Sequence, residues 1–210
     1  MKAKKIALIV GSLRRGSFNR KTAKAIIALA PENLDMEILE IERLELYNQD
    51  LDQSPPQSWI DFRNRVKTYD GFIFFTPEYN RSVPAVLKNA LDVGSRPYGH
   101  NSWDNKPCAV ISVSMGSMGG FGANHHLRQS LVYLNMPTMP QPEVYIGKVE
   151  ELFDDKDVLT NESTRELLWK FMGSFESWIV HNGEQIPRED WWNNRPKGLR
   201  GNWLAELADV

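Results

Sequence analysis

Three short polar segments, each directly after an apolar run, carry the side chains that could hold a phosphorylated ligand. The first segment, GSLRRGSFN at 11–19, places the hydroxyls of Ser12 and Ser17 beside the amides of a helix start. Arg14 or Arg15 can add a charged fork to a phosphate, and the Asn19 side-chain amide could reach a phosphate oxygen or the ligand chain next to the phosphate. Taken alone, the segment is equally typical of a polar turn with solvated arginines, because Gly, Ser and Asn are common in turns.

The second segment, PEYN at 77–80, has the features that a flat heteroaromatic ring needs. Such a ring binds backbone donors along its polar edge, which the amides of Glu78, Tyr79 and Asn80 could supply. Tyr79 could also pack against the ring. The alternative is an ordinary turn in which Pro77 fixes the entry and Asn80 bonds locally.

The third segment, SMGSMGGFG at 114–122, is rich in glycine, which permits close approach of a ligand or of neighbouring backbone. All three segments follow runs typical of central parallel strands. The carboxyl ends of such strands meet at one edge of an open α/β sheet, where ligands bind. The convergence therefore indicates one shared binding site more strongly than any single segment does.

Several other chemistries find no support in the residue pattern. The glycine spacing is neither G-x-G-x-x-G nor a P-loop, and no G-x-S-x-G elbow is present. His125 and His126 are adjacent, so their side chains diverge on a helix, and no Cys or carboxylate cluster has ligand spacing. We therefore expect no metal site, and we assign no catalytic acid, base or nucleophile.

The arrangement of elements predicts the fold class. Strand-like runs at 5–10, 36–41, 71–76 and 107–113 and near Val144 alternate with segments of helical periodicity. Five βα alternations predict an α/β fold with a doubly wound, five-stranded parallel sheet. We expect one domain over residues 1–182, followed by a Trp-rich C-terminal extension over residues 183–210.

Composition narrows the partners. The chain has 210 residues and a net charge of −2, which argues against nucleic acid as the main partner. No apolar stretch approaches the ~20 residues of a membrane span, and the apolar run after the N-terminal lysines is too short for a signal peptide. The single cysteine, Cys108, cannot form an internal disulfide. A cytoplasmic protein without membrane contact is expected.

Ordered motifs carry a family resemblance. Over residues 4–147 the blocks GSLRRGSFN, PEYNRSVPAVLKNALD-x-x-SRP, SMGSMGG and HLRQ resemble the NADPH-dependent FMN reductase family, which includes quinone, chromate and azo-dye reductases. The resemblance implies a flavodoxin-like sheet with strand order 2-1-3-4-5. It also implies FMN as cofactor and NADPH, or NADH, as electron donor.

The resemblance implies roles for individual residues. The FMN phosphate would be held by Ser12, Arg14, Ser17 and Asn19. The isoalloxazine would be lined by Pro77, Glu78, Tyr79 and Asn80 and closed at its other edge by Ser114, Gly116 and Ser117. Arg96 and Arg128 would lie near the cofactor mouth or at a subunit interface, although a surface ion pair is an equal alternative for both.

The implied activity is ping-pong transfer of two electrons from the nicotinamide through FMN to a quinone or another small acceptor. The family also suggests a homodimer or homotetramer. The chain departs from the family near Val93 and Ala123, where Trp and Arg are often found, and we expect these changes near the open face of the ring. The alternative function is a flavodoxin-like electron carrier or redox sensor. Such carriers are usually strongly acidic, so a net charge of −2 does not fit this alternative well.

Overall fold

Apolar runs form the centre of a five-stranded sheet. A computed structural model describes residues 3–183 of the chain. Its strands are β1 (Lys4–Val10), β2 (Leu34–Ile38), β3 (Gly71–Thr76), β4 (Cys108–Val113) and β5 (Val144–Ile146). All pairs are parallel, and the order is β2-β1-β3-β4-β5. The predicted fold class and strand order are confirmed.

Helices cover both faces of the sheet, as the continuous apolar character of β3 and β4 requires. They are α1 (Phe18–Ala28), α2 (Gln57–Lys67), α3 (Ala85–Gly94), α4 (Phe121–Tyr133) and α5 (Glu162–Asn182), with short 3-10 turns at Gln49–Leu51 and Val149–Glu151. Helices α1 and α5 pack on one face, and α2, α3 and α4 pack on the other.

Alternation along each strand divides the core into two layers. Ile73 and Phe75 of β3 face α1 and α5, whereas Phe72 and Phe74 face the other three helices. All four side chains are fully buried. Removing each from water contributes about 1.5–3 kcal/mol before the entropy cost of folding is subtracted, so both layers hold the strand ends in place.

Ser82 precedes an apolar helical stripe and Ser163 stands three residues before Glu166, so the sequence predicts that each caps a helix, but neither does so in the structure. Ser82 does not cap α3, because the helix begins at Ala85 after Pro84 and the Ser82 hydroxyl contacts His126 instead. Asn161, rather than Ser163, caps α5: its Oδ1 accepts from the Thr164 amide at 3.0 Å. In both cases several residues with capping ability or turn character occur in a row, and tertiary contacts choose among them.

Candidate active site

The loops after β1, β3 and β4 meet at one edge of the sheet. The paired positions Val10 with Phe75 and Thr76 with Ser112 show that these strands end at nearly the same level. The order of strands reverses between β1 and β3, which places the first two loops at a topological switch point. A cavity of about 160 Å³ opens there. It is lined by Ser12, Arg14, Phe18, Asn19, Pro77, Glu78, Tyr79, Val113, Ser114, Met115 and Val149.

The first loop presents donors at the start of α1. Ser17 is buried and caps the helix, its Oγ accepting from the Arg20 amide at 3.2 Å. The remaining first-turn amides have no intrahelical acceptor, and the helix end carries a partial positive charge. Ser12 is buried in the cavity wall, while Arg14 is exposed and donates to the Gly16 carbonyl at 3.4 Å. This end of the cavity suits an anion.

Asn19 lies at the inner end of the same loop and is 4% exposed. Its Nδ2 donates to the main-chain oxygen of Val113 at 3.3 Å. Its Oδ1 is buried and has no hydrogen-bond partner among residues 3–183. A buried acceptor without a donor costs about 1–3 kcal/mol, so the geometry favours a ligand hydroxyl at this position. The predicted phosphate contact would have to come from the other Asn19 hydrogen.

The PEYN segment ends in a tight turn. The Tyr79 amide donates to the Ser82 carbonyl at 3.1 Å, and the Ser82 amide donates back at 2.9 Å. Asn80 and Arg81, the central pair, both have positive φ, at 52° and 62°, as in a type I′ turn. The Tyr79 amide is therefore used inside the turn. The Tyr79 side chain, which is 51% exposed, contributes to the cavity wall. Asn80 lies at the exposed tip of the turn.

The Glu78 carboxylate is already hydrogen-bonded at both oxygens, so it is not a free base. Its Oε2 accepts from the Ala123 amide at 3.1 Å and its Oε1 from Arg81 at 3.0 Å. The carboxylate therefore joins the second loop to the start of α4.

The glycine-rich loop is shaped by contact with the end of β5. A Cβ on Gly147 would lie 2.6 Å from the Ser117 carbonyl oxygen, and one on Gly119, whose φ is +59°, would lie 2.6 Å from Tyr145. Gly116 and Ser117 are exposed and do not line the cavity. Ser114 does line it, with its hydroxyl donating to the Gly116 carbonyl at 3.2 Å.

The structure places the two outlying arginines away from this cavity. Arg96 follows the end of α3, about 15 Å of helix from the second loop, and its guanidinium carbon lies 6.0 Å from the centre of the Tyr47 ring. Arg128 donates to Asn124 Oδ1 and to the Met139 carbonyl, both at 2.9 Å. Within one chain, neither arginine is part of the site.

The expectation for Val93 was wrong. Val93 is fully buried against α2, and the Arg63 Nε donates to its carbonyl at 2.8 Å. Its neighbour Gly94 makes room for Trp103, because a Cβ there would lie 2.4 Å from the indole nitrogen. This departure from the family pattern is a packing change, and it does not line the cavity. Ala123 is fully buried at the start of α4, where its amide meets Glu78.

Sequence reasoning missed four residues of the wall: Phe18, Val113, Met115 and Val149. Phe18, Val113 and Met115 directly adjoin predicted residues, so their positions were the available signal. Val149 comes from the turn after β5, and no local pattern connects it to the other loops. Two larger depressions, of about 420 and 740 Å³, are walled by α1, α5 and residues 157–159, and none of the three loops contributes to them.

The described residues show no metal-binding cluster, no membrane-spanning helix and no reactive thiol. Within residues 3–183 no set of three or more His, Cys, Asp and Glu side chains is placed to bind a metal ion. Over the same residues, none of the helices has the length and apolar character needed to cross a membrane. Burial raises the pKa of the Cys108 thiol to about 12, so a thiolate nucleophile is not available there.

A switch-point site with an anion-binding helix start and an open apolar end defines a flavodoxin-like α/β protein that binds a phosphorylated aromatic cofactor. The sequence model of the NADPH-dependent FMN reductases matches residues 4–151. The chain belongs to that family.

Relatives with similar sequences and a similar solved structure carry names that agree with this family. A quinone reductase of Pseudomonas putida is 53% identical over 178 residues, which cover 84% of this chain and 95% of the relative. A 2-hydroxy-1,4-benzoquinone reductase of a Burkholderia species is 44% identical, over 84% and 97% of the two chains. The solved structure of a flavoenzyme NAD(P)H:(acceptor) oxidoreductase from Paracoccus denitrificans superposes with a TM-score of 0.81 at 38% identity, covering 86% of this chain and 99% of that one.

The residues present fit FMN. The helix start with Ser12 and Arg14 matches a phosphate, the unpaired Asn19 Oδ1 matches a hydroxyl-bearing chain, and the exposed Tyr79 and Met115 match a flat ring. The protein groups along the cavity therefore suit, in order, the phosphate, the hydroxyl-bearing chain and the flat ring of FMN.

Proposed function

We propose that this protein is an NAD(P)H-dependent FMN oxidoreductase that reduces quinones or similar flat acceptors by two electrons in a ping-pong cycle. The observation that carries the proposal is the cavity itself, with an anion-binding end at α1, an unpaired buried acceptor on Asn19 and an apolar end at Tyr79. The family match and the quinone reductases among the relatives support the same activity.

At the polar end, this chain binds and orients. The first-turn amides of α1, the Ser12 and Ser17 hydroxyls and the Arg14 guanidinium are the groups that would hold the phosphate. Asn19 is kept in one orientation by its bond to Val113, so its Oδ1 is the group that would accept from a ribityl hydroxyl. FMN bound in this way would supply the two-electron redox chemistry between the nicotinamide and an acceptor.

At the apolar end, the chain selects the acceptor. Tyr79 and Met115 both line the cavity, with 51% and 55% of their surfaces exposed. A thioether is polarizable and adaptable, and an aromatic side chain favours flat partners, so together they suit aromatic acceptors of various sizes. Among the cavity residues Glu78 is the acidic side chain, and it is already bonded to Ala123 and Arg81. We therefore assign no proton-transfer step to an acid or base of the protein.

The wider assembly follows from the same proposal. We place the protein in the cytoplasm, where reduced nicotinamide is abundant, acting as a homodimer or homotetramer. Neither Arg96 nor Arg128 lines the cavity of its own chain, which supports a role for both at a subunit interface. We propose the domain boundary near residue 182, and the end of α5 at Asn182 supports it. The proposed extension 183–210 lies outside the described residues except for Gly183.

Steady-state kinetics test the cycle. With NADPH and a benzoquinone varied together, a ping-pong enzyme gives parallel lines in double-reciprocal plots, whereas intersecting lines would require both ligands to be bound at once.

Tyr79→Ala should raise KM for the quinone about fivefold through lost apolar contact, while Tyr79→Phe, which keeps the ring, should change it little. Equal effects of the two variants would exclude a packing role for Tyr79.

A further inference from the structure

One partly buried carboxylate ties the second loop to the helix that follows the third loop. Glu78 follows β3, yet its side chain, 13% exposed, reaches the start of α4. There Oε2 accepts from the Ala123 amide at 3.1 Å, while Oε1 accepts from Arg81 at 3.0 Å. The bonded residues Glu78 and Ala123 are 45 positions apart in the sequence.

Helix α4 needs such a partner because it lacks a capping side chain of its own. Its N-cap is Gly120, at a φ of 78°, and its first turn contains no acidic residue. Orphan amides at a helix start are stabilised by an acceptor, and an anion there also interacts favourably with the helix dipole. Glu78 supplies both from a different element of the fold.

The first turn of α4 is shaped to admit this carboxylate. A Cβ on Gly122 would lie 3.0 Å from Glu78 Oε2 and 3.3 Å from the Arg81 carbonyl oxygen. Such distances are tighter than ordinary van der Waals contact, so any larger residue at 122 would push the carboxylate or the turn away.

Two further contacts connect the same elements. Arg81 Nη1 lies 3.8 Å from the Met118 sulfur, and the Ser82 hydroxyl lies 2.8 Å from His126 Nδ1. The turn at 79–82 is therefore joined both to the glycine-rich loop and to α4, with the Glu78 carboxylate as the most enclosed of these connections.

We infer that Glu78 is a positioning residue that fixes the spacing between the loop at 77–82 and the start of α4, and with it the glycine-rich loop at 114–120 that leads into α4. These loops provide Tyr79 and Met115, the two sides between which a flavin ring and its acceptor would lie. The inference rests on the proposed function for the identity of the ring. It assigns Glu78 no proton transfer, and the linkage itself depends only on contacts within this chain.

Flavin binding without turnover tests the inference. FMN and riboflavin affinities are measured for the wild type, Glu78→Ala and Glu78→Gln, together with hydrogen exchange at the Ala123 amide. Glu78→Ala should weaken both flavins by the same factor, about tenfold, and should accelerate Ala123 exchange by at least about tenfold. Glu78→Gln retains an acceptor oxygen and should stay within about threefold of the wild type.

Three outcomes would overturn the inference. Faster exchange with unchanged flavin binding would make Glu78 a helix cap without influence on the site. A loss confined to FMN would place its effect at the phosphate. A Glu78→Gln variant as weak as Glu78→Ala would mean that charge, rather than the bond to Ala123, is required.

Where Glu78→Ala does not fold, Gly122→Ala alone tests the linkage, and a wild-type flavin affinity of that variant would contradict it. Gly122→Ala leaves the carboxylate in the chain but crowds it, so it should weaken both flavins equally, and adding it to Glu78→Ala should have less effect than in the wild type. Gly173→Ala is the matched control, because nothing lies within 4 Å of a Cβ on that helical glycine. Full additivity of the Gly122 and Glu78 changes would contradict the linkage.

Failure of the proposed function would be distinguishable. These measurements use no NADPH, so a flavin that binds but is not reduced leaves the inference intact. If the wild type bound neither flavin, the proposed function and the flavin part of the inference would fall together, whereas Ala123 exchange would still decide whether Glu78 holds α4.

Discussion

Asn19 donates from Nδ2 to the main-chain oxygen of Val113 at 3.3 Å, which joins the first turn of α1 to the end of β4. A carbonyl can only accept, so this contact fixes which end of the side-chain amide faces the strand. The acceptor Oδ1 is thereby directed away from the Val113 carbonyl, and it is buried without a partner within residues 3–183. We propose that this oxygen accepts a hydrogen bond from a ligand hydroxyl.

Removal of this amide should affect flavins with and without phosphate equally. Asn19→Ala removes an acceptor for a hydroxyl that FMN and riboflavin share, so both affinities should fall about tenfold. Fluorescence titration of the apoprotein with each flavin measures this. A loss seen with FMN alone would show that Asn19 binds the phosphate.

Arg14 should show the opposite selectivity. Arg14→Ala should weaken FMN about tenfold or more while riboflavin changes little, because only FMN carries the phosphate that the guanidinium would pair with. The control is Arg15→Ala, an exposed neighbour that does not line the cavity. Equal losses for both flavins, or equal effects of the two variants, would rule out the phosphate contact.

Tyr69 gives a pH prediction that is independent of the site. Burial and a 2.5 Å bond to Glu37 raise the pKa of its phenol from 10.0 to about 12. A folded pKa above the unfolded one means that the stabilisation is fully present below pH 10 and is lost as the pH rises towards 12. Tyr69→Phe should cost about 1 kcal/mol near neutral pH.

Urea unfolding of both proteins from pH 8 to about pH 11.5 checks this prediction. The wild type should lose its advantage over Tyr69→Phe above pH 10, since the phenol ionises first in the unfolded chain. A difference that stayed constant through this range would mean that the phenol is not protected in the folded protein.

Deletion of residues 183–210 tests the proposed boundary. The chain would end with α5, whose buried face includes Phe175 and Ile179, so the fold should persist. A smaller oligomer in sedimentation would assign the extension to subunit contact, and a changed KM for the quinone would assign it to the active site. Unchanged size and unchanged kinetics would show that it does neither.

The sequence was sufficient for the fold because the relevant signals are local. Continuous apolar runs such as Phe72–Phe75 specify central strands, and the alternation with helices then restricts the topology. Ser12, Arg14 and Asn19 could be located for the same reason, since they lie in the loop and first helical turn that follow β1, at the edge where ligands bind.

The remaining features depend on contacts between distant segments. Nothing near Glu78 in the sequence indicates that its carboxylate caps α4, and nothing near Val149 indicates that it completes the cavity wall. The departure at Val93 was expected near the ring, whereas the neighbouring Gly94 accommodates Trp103 through its missing side chain. Packing decided these three positions, and packing has no short-range pattern.

The most direct test is an anaerobic titration of the FMN-reconstituted protein with NADPH, followed by flavin absorbance. The account predicts rapid bleaching that is complete at one equivalent, and full return of colour when a quinone is added. Bound flavin that stays oxidised in excess NADPH would contradict the account and would indicate an electron carrier or a redox sensor.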